Sequence, residues 1–532
     1  MRKKKAWAAL LCAGALLCTL CACGAAGTKK ASEDYSSEDA VSLTFSAGGI
    51  TADGSGSGYT VDGTALSISE PGTYILSGTC EDGSVTVKKG TQGVTLVLNG
   101  LALTSADTAP ITCNKSTEVT LLAAQGTENT LADSEQNNDE TYPDNTGAEN
   151  AVIKCKDGSA VTLGGSGTLR ITAKGKNGIK SGAATDTEGE ASLTVRDLTL
   201  EIEAGVNDAI NAEALLHIES GTLTLSAGAD ALHCDRVLTV GAAGTEGPTI
   251  TVTDCYEGLE GAEVSILSGN IGITSQDDCI NAANSDLSGY AFSLTISGGT
   301  VNAYSAGGDG FDSNGDLTIS GGTVAVWTAS TADDQPLDAD GTLTLSGGTV
   351  LAAGGSSGMG LRITATQPYV TFGASAMGGT PMGGGDLTPP AAPAEGKAPA
   401  LEGTRPSASF PEGGPEKDER SFTGGQRTAA VPEGTAFTLR AADGTAVCSG
   451  TAVCGASYVL YSSPELTEGT SYTLAAADSD IETAAAQTGT AAGMDGMGGG
   501  RSGPPAGGGT PPAAPGGSGE SAAPAKTPEE QG

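Results

Sequence analysis

A short pattern of a carboxylate or amide, a small residue, an aliphatic and a second polar residue recurs along the middle of the chain. It reads Asn177-Gly178-Ile179-Lys180, Asp208-Ala209-Ile210-Asn211, Asp230-Ala231-Leu232-His233, Glu257-Gly258-Leu259-Glu260, Asp278-Cys279-Ile280-Asn281 and Asp309-Gly310-Phe311-Asp312. A looser copy lies around Asp334-Gln335-Pro336-Leu337-Asp338. If the aliphatic is an inward anchor, the residue two before it forms one row: Asn177, Asp208, Asp230, Glu257, Asp278 and Asp309. The residue after it forms a second: Lys180, Asn211, His233, Glu260, Asn281 and Asp312. Rungs of stacked strands lie about 4.8 Å apart, and calcium takes roughly six to eight oxygens at about 2.3–2.6 Å. Carboxylates on successive rungs could therefore clasp one ion, and Asp208, Asp230, Glu257, Asp277, Asp278, Asp309 and Asp312 are the expected ligands. Lys180, Asn211, His233 and Asn281 are expected to face a bound ligand. Without ions the same acids would repel one another.

Taken singly, each acid also reads as a turn residue hydrogen-bonding its own backbone. The near-constant register and the doubled acids Asp277-Asp278 and Asp333-Asp334 favour calcium. Zinc is not expected, because the chain has only two histidines, His217 and His233, and its cysteines are scattered. His217 sits in an alternating strand and reads as a surface or coil residue.

The elements that must position these rows are short strands. Leu317-Thr318-Ile319-Ser320-Gly321-Gly322-Thr323-Val324-Ala325-Val326-Trp327 alternates, with Leu317, Ile319, Val324 and Val326 on one side and Gly321-Gly322 as the corner. The residue at the corner recurs as Thr168, Thr199, Thr222, Thr249, Asn270, Thr300, Thr323 and Thr349, spaced 21 to 31 residues apart. A coil of that length cannot bury its own apolar face and must lean on its neighbours. Three short strands per coil predict an all-β fold, a parallel β-helix. The helical segment of leucine-rich repeats is missing, and glycine content with period-2 patterning excludes helical solenoids.

With 82 glycines in 532 residues, 4% aromatics and 63 acids against 26 Lys and Arg, the chain is turn-rich and acidic. That balance excludes nucleic acid as a partner, since its binding takes basic patches. The sequence begins with Arg2-Lys3-Lys4-Lys5, an apolar run from Ala6 to Leu20, and Leu20-Cys21-Ala22-Cys23. This has the order of a secretory signal and resembles the bacterial lipoprotein box, with Cys23 as the lipidated residue. Removing residues 1–22 takes the formal charge from -37 to -41. The expectation is a chain anchored by lipid at the extracellular face of a bacterial plasma membrane. Beyond Cys23, eight cysteines read mainly as small buried side chains. Cys448 and Cys454, flanking a turn, are the pair best placed for a bridge.

The expected organisation is a signal at 1–22, a polar stalk at 23–40 and the β-helix at 41–353, its first strands forming a β cap. A disordered Gly/Pro/Met-rich insertion follows at 354–425, in which only Leu361 to Phe372 looks ordered. Strands return in a C-terminal β segment or cap at 426–487, before a disordered Gly/Pro tail at 488–532.

Several motifs resemble one family. They include Gly72-Thr73-Tyr74 with Leu76-Ser77-Gly78, Leu96-Val97-Leu98-Asn99-Gly100, Glu128-Asn129-Thr130-Leu131, Gly165-Ser166-Gly167-Thr168-Leu169, the acidic rungs, and Ser462-Ser463-Pro464-Glu465-Leu466 followed by Gly469-Thr470-Ser471-Tyr472. The chain is similar to bacterial carbohydrate-binding domain-containing proteins related to family 9 pectate lyases. The resemblance implies a right-handed parallel β-helix that contains calcium and binds an acidic polysaccharide such as polygalacturonate. Rungs where Ala replaces Gly or Cys intrudes depart from the pattern.

Three functions stay open at this point. A binder would use calcium on the acidic ridge to bridge to uronate carboxylates, with Tyr256, Tyr290, Tyr304 or Trp327 available to stack on sugars. A lyase would need a base beside the metal; Lys180 is the candidate, with Lys154 one coil earlier, although acidic neighbours favour charged lysine. A surface adhesin or scaffold would need neither. No nucleophile–histidine arrangement suggests hydrolase chemistry, and the reading adopted is a non-catalytic, calcium-dependent binder of anionic polysaccharide.

Overall fold

The computed structural model describes Tyr35, residues 39–373 apart from 54–55, 288, 330–333 and 356–360, and residues 431–491 apart from 478. The signal, Cys23, most of the stalk, most of the 354–425 insertion and the tail beyond 491 lie outside the described residues, as does Asp333. Among the described residues there is no helix, and 32 strands hydrogen-bond into one continuous, mostly parallel sheet.

Three ladders account for that sheet. In the first, the corner residues pair in one register, Thr168 with Thr199, Thr222, Thr249, Asn270, Thr300, Thr323 and Thr349 in turn. In the second, Ile153, Ile179, Ile210, Leu232, Leu259, Ile280 and Phe311 stack, and an isolated parallel bridge extends the row to Leu337. In the third, Val161, Leu193, Leu216, Leu238, Val264, Leu294, Leu317, Leu343 and Ile363 do the same. Period-2 alternation sends the anchors of the second and third ladders, and the residues that follow the corners, such as Leu169, Leu200 and Leu223, to one face, where all three ladders share a single apolar core. Every aliphatic or aromatic of the second ladder from Ile153 to Phe311 is fully buried. Each such side chain contributes about 1.5–3 kcal/mol by leaving water.

The corner at Gly321-Gly322 is a bulge rather than a break. Asp316–Thr328 is one continuous strand, whose register slips on either side of Ser320 while Gly322 takes φ 81°. Glycine adopts that conformation without a side-chain penalty.

Both ends of the ladders are covered. At the start, Val41–Ser46 pairs antiparallel with Gly49–Asp53 and parallel with Gly72–Cys80. At the other end, Tyr458–Ser462 runs antiparallel to Thr342–Gly354 and Arg362–Phe372. A four-stranded antiparallel sheet of Ala436–Ala441, Ala446–Thr451, Ser471–Ala476 and Ser479–Ala485 packs there over a second apolar cluster that includes Trp327 and Phe372. Covering an edge strand in this way removes a template for aggregation. The polar stretch after Ala132 has no strand but is tied down: Asn137 donates to Asp133 Oδ2 and the Ala151 carbonyl, both at 2.9 Å, and Asp133 Oδ1 accepts from the Lys174 and Gly175 amides.

The Cys448–Cys454 bridge expected from sequence is not formed. Cys454 carries a buried thiol that donates to the Thr328 carbonyl at 3.0 Å, so it serves the packing of the end sheet instead.

Candidate functional site

Main-chain hydrogen bonds along the second ladder bring the acids into rows. The amide of each small residue donates to the carbonyl of the acid one rung on: Gly178 to Asp208, Ala209 to Asp230, Ala231 to Glu257, Gly258 to Asp278 and Cys279 to Asp309. The aliphatic amides do the same one position later, from Ile179 to Ala209 through Ile280 to Gly310. The anchors are buried, so the flanking polar residues are held at the edge of the core, half-buried for the most part.

The second row is also in register. Lys154, Lys180, Asn211, His233, Glu260, Asn281 and Asp312 are successive partners in the ladder. Three of the first-row acids also act as turn residues, using one side-chain oxygen on the next rung's amide. Asp208 Oδ1 accepts from Asp230 N at 3.0 Å, Asp278 Oδ1 from Asp309 N at 2.7 Å, and Asp309 Oδ1 from Gln335 N. Turn hydrogen bonding and a spare oxygen are therefore compatible in one residue.

What the second oxygen does divides the rows into three stretches. At the start, Asp208 Oδ2 accepts from Asn211 at 2.6 Å and Asn207 at 3.1 Å, while Lys180 donates to Asn211 Oδ1 at 3.0 Å and pairs with Glu213 at 3.2 Å. This stretch is closed by amides and a lysine. In the middle, His233 Nδ1 faces Asp230 Oδ2 at 2.9 Å and Glu260 Oε2 at 2.5 Å, and its Nε2 meets Asp235 Oδ1 at 3.0 Å. Burial works to lower the imidazole pKa, but these three carboxylates outweigh it and raise it well above its ordinary value.

In the far stretch the charges that act on Asp309 and Asp312 are those of other acids. Asp309, Asp312 and Asp338 bring ligand oxygens within 4.8 Å of one another. The charges acting on Asp309 are Asp338, Asp312 and Asp334, and those on Asp312 are Asp338 and Asp340. Burial, reinforced by these acids, pushes Asp309 up to about 7 and Asp312 up to about 6. One rung earlier Asp278 rises to about 7 for the same reasons, and Glu257 rises to about 8 through burial and the charges of Glu260 and Asp230. Glu257 Oε2 accepts from Asn281 Nδ2 at 3.1 Å, leaving Asn281 Oδ1 buried with no partner. Clustered, desolvated oxygens of this kind are the donor chemistry that a hard cation takes.

Other sequence candidates lie elsewhere. Asp277 is off the rows and accepts a hydrogen bond from the Tyr256 hydroxyl. His217 Nε2 is within 3.0 Å of the Gly241 carbonyl. Trp327 is buried edge-on against Phe437 at 5.8 Å, so it is core and not a sugar platform. The Tyr290 hydroxyl is taken up by Glu263 at 2.5 Å, whereas Tyr256 is half-exposed. At Lys154 burial and the Lys180 charge lower the pKa, while Glu149 and Glu213 act in the other direction and favour the charged form. Sequence reading missed Asp235 and Asp338, which lie outside the strict pattern; the looser copy ending at Asp338 was the available signal.

Residues 62–358 match the family described as carbohydrate-binding domain-containing protein. A curated relative of that description from Acetivibrio thermocellus is 32% identical over 173 residues, 32% of this chain. The chain spans 59% of that relative's length. A solved polysaccharide lyase-like protein from C. thermocellum, a gadolinium derivative, covers 58% of this chain and 93% of its own at 23% identity and a TM-score of 0.32.

Proposed function

The chain belongs to the carbohydrate-binding domain-containing protein family, and from that membership we propose that it binds an anionic polysaccharide, of the polygalacturonate kind, through calcium held on the acidic rows. The observation that carries this reading is the stretch of Asp278, Asp309, Asp312 and Asp338, half-buried carboxylates whose charged neighbours are other carboxylates. Asp309, Asp312 and Asp338 would hold the ion, with Asp278 beside them. Calcium would neutralise the acids and offer open positions to uronate carboxylates, turning repulsion between two polyanions into bridging. In this reading the three ladders close into a right-handed parallel β-helix whose stacked face suits an extended polymer. Cys23 would carry the lipid that anchors the chain at the extracellular face of the plasma membrane.

Lys154 is the observation that favours a lyase, because a lysine with a lowered pKa can act as a base. Position opposes it. Lys180 lies five rungs from Asp312 in the ladder, roughly 24 Å at the usual strand spacing, and Lys154 is one rung further away. Neither lysine can act on one sugar together with an ion held at Asp309, Asp312 and Asp338, which favours binding without cleavage. A scaffold with no glycan of its own is the remaining alternative.

Affinity electrophoresis of the delipidated chain through polygalacturonate gels, with calcium and then with chelator, tests the proposal. Calcium-dependent retardation without unsaturated sugar ends in the eluate is the expected result. New unsaturated ends would move the assignment to a lyase, and unretarded migration would favour the scaffold.

A further inference from the structure

The calcium reading leaves His233 without a role. Its ring is fixed from one side, with Nε2 against Asp235 Oδ1 at 3.0 Å. On the other side Nδ1 faces two carboxylates at once, Asp230 Oδ2 at 2.9 Å and Glu260 Oε2 at 2.5 Å. A ring nitrogen carries either one proton or one lone pair, so it cannot serve both carboxylates with full-strength hydrogen bonds. What it shares with them is a point of convergence: the three ligand atoms lie within 4.8 Å of one another.

The backbone builds this convergence from three sources. Asp230 and His233 stand on either side of the Ala231-Leu232 pair, the parallel register sets Glu260 directly beside His233, and Asp235 follows in the same strand, Leu232–Val240. The side chains of His233, Asp230 and Glu260 are 20%, 13% and 18% exposed, shielded from bulk water yet within reach of a small ion. One imidazole nitrogen and two carboxylate oxygens suit zinc-like metals better than calcium, which prefers oxygen alone. A carboxylate on the far ring nitrogen is the usual outer support of a metal-binding histidine.

We propose that Asp230, His233 and Glu260 form a site for a borderline divalent transition metal such as zinc, bound through His233 Nδ1 and one oxygen of each carboxylate, with Asp235 as a positioning residue. Three protein ligands leave a fourth position for water or an external donor. The site is separate from the all-carboxylate set at Asp309, Asp312 and Asp338, and it stands or falls independently of glycan binding. A scarcity of histidines argued against zinc in the sequence; one histidine is enough where a ladder delivers two carboxylates to the same nitrogen.

Cobalt(II) titration of the full chain, previously stripped with chelator, is the test, because a histidine-containing site of low coordination gives cobalt a visible absorption band. One equivalent should bind with such a band, and excess calcium should not displace it. His233→Gln should abolish the band and weaken binding about tenfold or more, while His217→Gln, which removes the other histidine, should leave both unchanged. Glu260→Gln is the second variant if His233→Gln does not fold, and it should weaken cobalt binding as well. A chain that gives no band, a band that survives in folded His233→Gln or is unaltered in Glu260→Gln, or displacement by equimolar calcium would overturn the proposal.

Discussion

His233 and Glu260 are partners in adjacent rungs of one parallel ladder, and Nδ1 of the first lies 2.5 Å from Oε2 of the second. Three rungs beyond His233, Asp312 occupies the same register position with Asp338 and Asp340 as its charged neighbours. One row thus holds acids gathered round a histidine and acids whose charged neighbours are other acids. The two stretches should respond in opposite ways to changes in charge.

Removing the counter-charge should be costly. In chelated protein, His233→Gln leaves Asp230, Asp235 and Glu260 facing one another, and the expected loss is on the order of 2 kcal/mol, below that of a fully buried pair because the group is partly solvated. Urea denaturation measures it. Adding Glu260→Gln to the same chain should recover part of the loss, since the two residues are in contact and their effects should not add.

Removing charge from the far stretch should have the reverse effect. Asp309→Asn with Asp312→Asn deletes two carboxylates whose neighbours are acids, so the metal-free variant should melt above the metal-free parent. It should also lose most of the calcium-induced rise in melting temperature. Calorimetry with chelator and with calcium separates the two effects, and a variant that still gains the parental increment from calcium would count against this site.

The same carboxylates set a pH dependence opposite to that of a salt-bridged acid. Asp278 and Asp309 move from 3.8 to about 7, and Asp312 to about 6. A raised folded-state pKa means that the folded chain binds the proton more tightly than the unfolded one. The stabilisation is complete below about pH 4 and is lost as pH rises through about 7. Metal-free protein should therefore lose stability between those limits from these groups, and calcium should remove the loss at its upper end. Melting temperatures across that range, with and without calcium, would show it.

The sequence made the rows legible because two periodicities coincide: side-chain alternation within a strand and the near-regular return of the coil. The corner residues from Thr168 to Thr349 and the anchors from Ile179 to Phe311 were readable for that reason, and the ladders pair them in that order. Which partners the row residues take was not readable. It depends on Asp235, Asn207 and Glu213, which come from outside the pattern and reach the rows only after folding. Asp277 shows the same limit: a doublet in sequence sends only Asp278 to the row, because consecutive residues point in different directions. For Trp327 the sequence leaves packing and sugar stacking equally open, because the sheet that covers its strand begins more than a hundred residues later.

Packing and ion binding should be coupled at Phe311. Its fully buried ring lies between Asp309 and Asp312 in sequence and pairs with Leu337 beside Asp338. Phe311→Ala should cost about 3–5 kcal/mol and also weaken calcium binding, because the cavity loosens the rung that carries Asp309 and Asp312 and its contact with the rung of Asp338. Leu169→Ala removes a fully buried side chain from the corner ladder. It should cost about 2–5 kcal/mol yet leave calcium affinity in the folded protein unchanged. Isothermal titration of the two variants distinguishes local from general destabilisation.

The small-residue slot between acid and anchor sets the sharpest steric condition on the rows. Gly258 fills it on the Glu257 rung, where an added Cβ would come 2.2 Å from the Cys279 carbonyl oxygen and 2.6 Å from Ile273 Cγ2. Backbone strain is not the issue, since Gly258 has no positive φ. Neither obstacle is a flexible side-chain end: one is the backbone of the next rung and the other a buried β-branched side chain. Gly258→Ala should force Glu257 and Asp278 apart, at about 1–3 kcal/mol for overpacking, although Ala209, Ala231 and Cys279 occupy the equivalent slot on other rungs. The reciprocal change, Ala231→Gly, opens the slot without a clash and should cost only about 0.5–1 kcal/mol from backbone entropy. Chemical denaturation of both variants decides whether the slot is fixed by local rung spacing or tolerates alanine throughout; equal losses would favour tolerance.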